Sequence, residues 1–283
     1  MNESVTPPQT GPAPTTVTRV GRYQPHIRLE AQETLGRYIS ERKRGTATGT
    51  THNTVLITGG ATGIGYAMAK YLLTRGNTVL ICGRRSDRLV QAAEQLPGLN
   101  HFACDVSDPA GRSDLLEHVQ GKFPELNVLI NNAGIQSDTD LAGEPDPQMV
   151  RDEIRINLEA PILLSALFTP LLAGRPGATI INVSSGLAFM PEHATGMPVY
   201  CATKAGLHAF TIAQRVQLEP LGIKVVEMIP PMVESELNLE SRRRRGAVTG
   251  PHIMSAEDFV VDAFTELENG STEIRIAMRL RRS

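Results

Sequence analysis

From Thr54 onward, short apolar runs alternate with helix-patterned segments, and this alternation limits the possible folds more than any other feature of the chain. The runs are Val55–Ile57, Thr78–Cys82, Asn100–Cys104, Asn127–Ile130, Ala178–Val183 and Lys224–Ile229, with a last candidate at Glu273–Met278. They are nearly continuous in apolar character, as strands covered on both faces must be. Helical patterns lie between them, near Gly65–Arg75, Asp87–Gln95, Pro109–Lys122, Pro147–Leu172 and Tyr200–Leu218. Repeated β–α alternation predicts an α/β fold with a doubly wound parallel sheet.

The 283 residues suit one such domain, at 53–283, preceded by an extension over 1–52. Residues 1–20 are rich in Pro and Thr and are expected to be disordered. Arg28–Arg42 can form a short amphipathic helix through Leu29, Leu35, Tyr38 and Ile39, and a Gly/Thr-rich linker follows. This extension is a candidate for docking on a neighbouring subunit. A formal net charge of −2 gives no global reason to expect a nucleic-acid or membrane partner. No N-terminal apolar stretch resembles a signal peptide or a membrane span. The three cysteines, Cys82, Cys104 and Cys201, lack metal-type spacing and imply a reducing, cytoplasmic setting. The seven histidines are scattered, so no metal site is expected.

The first apolar run leads into Thr58-Gly59-Gly60-Ala61-Thr62-Gly63-Ile64-Gly65 and then a helical segment ending at Gly76. Strand, glycine turn and helix together form the context of a dinucleotide fingerprint. Glycines let the backbone approach a pyrophosphate, and the helix start offers free N–H groups. Thr58, Gly59, Thr62, Gly63, Ile64 and Gly65 are the candidate contacts; the plain alternative is a tight turn. The second run ends Cys82-Gly83-Arg84-Arg85 with no acid to hold a ribose 2′-hydroxyl. Arg84 and Arg85 suit a 2′-phosphate, which predicts NADP(H) in preference to NAD(H). The alternative is that both arginines are solvated charges at a helix entry.

Tyr200 and Lys204 are four apart at the start of a helical pattern, so they share a face. An ammonium there favours tyrosinate and is expected to lower the Tyr200 pKa, making Tyr200 a usable acid or base. Asn182-Val183-Ser184-Ser185 closes the preceding strand, at the end where open α/β sheets place ligands. A serine hydroxyl there can meet a developing oxyanion, or simply bond local backbone. Cys201 invites a nucleophile reading, but with no histidine near it in sequence it reads better as a small packing residue.

With these residues in order, the chain resembles the short-chain dehydrogenase/reductase family over about Thr54 to Asn238. The matching elements are the 58–65 loop, Asp105-Val106, Asn131-Asn132-Ala133-Gly134, Asn157, Ser185 and Tyr200-Cys-Ala-Thr-Lys204. The strings NNAGIQ, LSALFTP, SSGLAF, PVYCATK and PPMV resemble the bacterial DltE-type branch more narrowly. The resemblance implies a single-domain Rossmann fold and a catalytic set of Asn157, Ser185, Tyr200 and Lys204. It implies Asp105 and Val106 near the adenine, and Asn132, Ala133 and Gly134 beside the cofactor. Tyr200 and Lys204 would also contact it, with Lys204 on the nicotinamide ribose, and Pro230 and Val233 would lie by the carboxamide, with Ser235 at the family's hydroxyl position. A substrate lid at about 231–252 and a homodimer or homotetramer follow in the same way.

Asn157 also has a physical argument of its own. Pro161 has no N–H to give the carbonyl four residues earlier, so that of Asn157 is left free, or the proline merely kinks the helix. In the family this carbonyl anchors a water that relays protons to the lysine. Two departures from the family pattern stand out. Fourteen residues separate Ser185 from Tyr200, more than is usual, which places an insertion at Glu192–Met197 and leaves open whether Ser184 or Ser185 faces substrate; Ser185 is preferred. The usual Pro-Gly is Pro230-Pro231. Within the lid, Arg242–Arg245 suit an anion or form a solvated charge run. The resulting expectation is an NADP(H)-dependent oxidoreductase that interconverts a carbonyl and an alcohol on a small organic substrate. The alternative is a catalytically silent dinucleotide-binding sensor or interaction protein.

Overall fold

The computed structural model describes residues 49–234, 236–237 and 253–277. Most of the N-terminal extension, with its Arg28–Arg42 pattern, lies outside the described residues, as do Ser235 and the Arg242–Arg245 run.

Seven parallel strands form one sheet in the order β3-β2-β1-β4-β5-β6-β7. They are β1 (Thr54–Thr58), β2 (Thr78–Gly83), β3 (Asn100–Ala103), β4 (Val128–Asn131), β5 (Thr179–Val183), β6 (Lys224–Ile229) and β7 (Glu273–Arg275). The helices are α1 (Gly63–Leu73), α2 (Ser86–Gln95), α3 (Pro109–Lys122), α4 (Pro147–Ile154), α5 (Ala160–Leu172), α6 (Pro198–Leu218) and α7 (Ala256–Glu268). The strand order reverses between β1 and β4. That opens a crevice at the strand carboxyl ends, where this architecture binds ligands.

Strand residues alternate between two cores. Val55, Ile57, Val79, Ile81 and Ile130 pack with α1, α2 and α7 through Met68, Leu72, Leu89, Phe259 and Phe264. Leu56, Leu80, Leu129, Ile180 and Val225 face the opposite way, onto Leu115, Val119, Leu164, Phe168 and Leu172 of α3 and α5. The two-residue period of a strand, with helices on both faces, turns an apolar run into two buried surfaces.

Most element ends fall within two residues of their sequence expectation. Helix α7 is absent from that expectation, although its signals are present. Ser255 caps it by accepting from the Asp258 N–H (3.0 Å), Glu257 and Asp258 occupy the first turn, and Phe259, Val260, Ala263, Phe264 and Leu267 recur at helical spacing. The last strand stops at Arg275, short of the expected Met278, which lies outside the described residues. Thr50 is buried: its hydroxyl bonds Glu268 and its carbonyl accepts from Asn77 Nδ2 (2.7 Å).

The long helical stretch Pro147–Leu172 is apolar enough to cross a membrane by length and composition alone. Its Ala160, Leu164, Phe168 and Leu172 are spent on the core. Replacing Phe168, which is fully buried, by Ala should cost about 3–5 kcal/mol in chemical denaturation; a loss below about 1 kcal/mol would contradict its place in the core.

Candidate active site

The turn after β1 bends on Gly59 and Gly63, which take positive φ of 65° and 55°. A Cβ at Gly65 would lie 2.4 Å from the Gly59 carbonyl oxygen and 2.5 Å from Asn132 Nδ2, so no side chain fits there. A second loop clips the turn in place. Thr58 Oγ1 accepts from the N–H groups of Asn132 and Ala133 (both 3.0 Å), and Asn132 Nδ2 donates to the carbonyls of Thr58 (3.0 Å) and Gly59 (3.1 Å). The α1 N-cap, Thr62, makes no side-chain capping bond, so its hydroxyl does not occupy the first-turn N–H groups. The backbone there fits the pyrophosphate of a dinucleotide.

This loop borders a cavity of about 470 Å³. Gly59, Thr62, Gly63 and Ile64 line it on one side, with Arg84, Arg85, Asp105 and Val106 beyond. Asn132, Ala133 and Gly134 form a neighbouring wall, and Ser185, Tyr200, Lys204, Pro230 and Val233 form the rest. Of the expected site residues, Thr58, Gly65 and Asn157 stand behind the wall, and they shape it. The Asp105 carboxylate accepts from Ser107 N–H (2.9 Å) and Oγ (2.7 Å), which shapes the corner after β3. Arg85 faces Glu236 at 3.4 Å, whereas Arg84 pairs with no acid among the described residues.

Asn157 is fully buried. Its Oδ1 accepts from the Ile135 N–H (2.9 Å), and its Nδ2 donates to the Ile135 carbonyl (2.8 Å) and to Thr203 Oγ1 (3.2 Å). It therefore couples the 132–137 loop to α6. The helix runs through from Pro147 to Leu172, as the Pro161 argument requires, but with a π-helical turn at Arg155–Glu159. π-turns insert where a helix is strained or functional, and here one sits directly on Asn157.

The two serines diverge. Ser184 Oγ is committed to Glu227 Oε1 at 2.6 Å, whereas Ser185 lines the cavity with Tyr200 and accepts from the Leu187 N–H (3.2 Å). The inserted segment forms a 3₁₀ turn at Pro191–Ala194 with Ala194 buried, and the Gly196 carbonyl accepts from the Thr139 N–H (2.9 Å). It is thus pinned, and none of Glu192–Met197 lines the cavity. Pro230 keeps a backbone role, accepting from the Gly186 N–H (2.9 Å), and Val233 bridges to Met254.

One electrostatic expectation is reversed. Burial pushes the Tyr200 hydroxyl up to about 12; the Ser185 hydrogen bond draws it back only in part, and nearby Glu153 adds to the rise. Lys204 does not lower it. Its Nζ lies 5.7 Å from the ring centroid and donates to the Val183 carbonyl at 2.9 Å, while burial brings Lys204 itself down to about 8. The same physics disarms Cys201, whose thiol burial pushes up.

Two features went unread in the sequence. Glu153, one turn before Asn157, is fully buried and is pushed up to about 7 by desolvation. Its signal was an acid on the inward face of a helix. The second is a chain from Ser184 through Glu227 to His208 Nδ1 (2.8 Å), which depends on contacts between strand and helix that spacing does not reveal. Although no metal site was expected, His208, Glu227 and Glu273 do bring ligand-type atoms within 4.8 Å of one another. The Glu227 oxygens bond Ser184 and His208, and Glu273 bonds Arg275.

The family model for short chain dehydrogenases matches residues 53–246. The uncharacterized oxidoreductase DltE of Bacillus subtilis is 47% identical over 225 residues, covering 79% of this chain and 88% of its own length. Sulfoacetaldehyde reductase 2 of Chromohalobacter salexigens is 30% identical, over 65% of this chain and 74% of its own length. Among solved structures, a short-chain dehydrogenase from Sphingobium yanoikuyae in complex with NADPH superposes with a TM-score of 0.69 at 27% identity, over 78% of this chain and 87% of that one. A short-chain dehydrogenase/reductase from Burkholderia phymatum in complex with NAD, at 19% identity and TM-score 0.71 over 80% and 89%, shares the fold. Glycine loop, strand order and these matches agree: the chain is an oxidoreductase of the short-chain dehydrogenase/reductase family, of the DltE type.

Proposed function

We propose that this oxidoreductase interconverts a carbonyl and an alcohol on a small organic substrate, with NADP(H) as the preferred cofactor and Tyr200 as the acid/base. The observation that carries this reading is the convergence of Ser185, Tyr200 and Lys204 on the cavity that the glycine loop borders. Backbone at Gly59–Ile64 would hold the pyrophosphate, and Arg84, unpaired among the described residues, would meet the 2′-phosphate. The NADPH carried by the Sphingobium relative supports that preference. When bound, the nicotinamide supplies or accepts the hydride.

Tyr200, held near 12, keeps its proton across the physiological range. It acts as a general acid toward a developing alkoxide, a much stronger base than phenolate. Ser185 donates to the same oxygen as charge grows on it. Lys204, fixed by the Val183 carbonyl with its Nζ 5.7 Å from the Tyr200 ring centroid, would hold the nicotinamide ribose. Asn157 contributes through its backbone carbonyl, from which Pro161 removes the i+4 donor. The silent-sensor reading is weaker, because Asn157, Ser185, Tyr200 and Lys204 are all present and mutually placed.

A panel of ketones, aldehydes and keto acids followed by NADPH consumption finds the substrate class. On the best of these, Tyr200→Phe should lower kcat by about 100-fold or more while sparing NADPH affinity; full activity would remove Tyr200 from the chemistry. Arg84→Ala should weaken NADPH about tenfold and leave NADH unchanged, the size of one charge-assisted hydrogen bond; equal loss for both would refute the 2′-phosphate assignment. Pro161→Ala should reduce kcat at unchanged cofactor affinity, and an unaltered kcat would dismiss the freed carbonyl.

A further inference from the structure

Glu153 has no place in the chemistry above, yet it is enclosed beside it. It lies on α4 one turn before Asn157, so both side chains share a helix face, the face on which Asn157 reaches Thr203 of α6. Its exposure is 0%, and that of Lys204, next to Thr203, is 4%. Glu153 Oε1 accepts from the Ser137 N–H at 3.1 Å, while Oε2 has no hydrogen-bond partner among the described residues. A glutamine would serve Ser137 as well, and an apolar side chain would pack at lower cost. A carboxylate with a spare oxygen needs a reason of another kind.

The groups its charge acts on supply one. On α6, against which α4 packs, these are Tyr200, Cys201 and Lys204, and the Ser137 amide of the 132–137 loop bonds it directly. Glu227 on β6 also acts on Lys204, but both of its oxygens are engaged, by Ser184 and His208. We propose that Glu153 is a positioning residue: its carboxylate is the buried counter-charge that keeps the buried Lys204 an ammonium. Its value to the reaction rests on the catalytic reading of Tyr200 and Lys204.

Burial raises Glu153 to about 7 and lowers Lys204 to about 8, while each draws the other back toward its charged form. The carboxylate exists above the first value and the ammonium below the second. Each charge therefore supports the other, and the two titrations are coupled. Removing either charge must shift the other group, in opposite senses.

Isotope-labelled lysine followed by NMR in the full chain, without cofactor or substrate, reads this directly. Glu153→Gln should move the Lys204 midpoint down by about one pH unit or more, and Glu153→Asp should restore part of that shift. An unmoved midpoint overturns the proposal. Should the glutamine variant fail to fold, Lys204→Met in labelled protein gives the reciprocal test: the Glu153 carboxyl must titrate higher than in the parent, and an unchanged midpoint again overturns the proposal. These readouts need no turnover. A null shift with an inactive Tyr200→Phe enzyme sinks the counter-charge alone, whereas a clear shift with an active Tyr200→Phe enzyme sinks the catalytic reading alone.

Discussion

The bond from Lys204 Nζ to the Val183 carbonyl, 2.9 Å long and buried, is the constraint on which the site is built. It joins helix α6 to the end of β5. Once it is made, Tyr200 lies one turn earlier on the helix and Ser185 two residues beyond Val183, and both line the cavity. A buried polar ladder braces the same contact from below. Asn131 Nδ2 donates to Asn182 Oδ1 (2.9 Å), and Asn182 Nδ2 donates to Thr211 Oγ1 (2.9 Å) and Gln214 Oε1 (2.8 Å). These side chains tie β4, β5 and α6 with bonds whose loss would leave unpaired groups in a dry interior. The fold thus holds the dyad rigidly before any ligand arrives, as electrostatic preorganisation requires.

Burial, which makes that rigidity possible, also sets the charges. Both members of the dyad move toward their neutral forms, the phenol to about 12 and the amine to about 8. Proximity of a lysine to a tyrosine does not by itself make a tyrosinate. Desolvation acts on both groups, and at 5.7 Å from the ring the amine does not offset it. A site of this kind keeps its phenol protonated and holds a cation only with help, which gives a fully buried glutamate on the adjoining helix its physical meaning.

Much of this was legible in the residues. Strands covered on both faces announce themselves as apolar runs, and the glycine loop is read from steric necessity: a Cβ at Gly65 has nowhere to go. Asn157 came from the family resemblance, and the missing N–H of Pro161 supported it independently on the condition that the helix runs through. What could not be read depends on which faces meet. Asn132, expected beside the cofactor, lines the cavity, and its side chain also staples the glycine turn. The separate fates of Ser184 and Ser185 follow from Glu227, forty-odd residues away on β6. The direction of the Tyr200 shift depends on burial, which spacing on a helix does not report. Helix α7 was missed despite a capped, acidic first turn, because a long polar segment precedes it.

The central claim is that the dinucleotide cleft and the Tyr200 face form one reaction site. Its most direct measurement is label transfer: reduction of a carbonyl substrate with NADPH deuterated at the transferable nicotinamide position, followed by NMR of the alcohol. Deuterium retained on the carbinol carbon, with the hydroxyl proton drawn from solvent, is the predicted result. Product formed without the label, or cofactor bound with no transfer to any carbonyl in the panel, would contradict it.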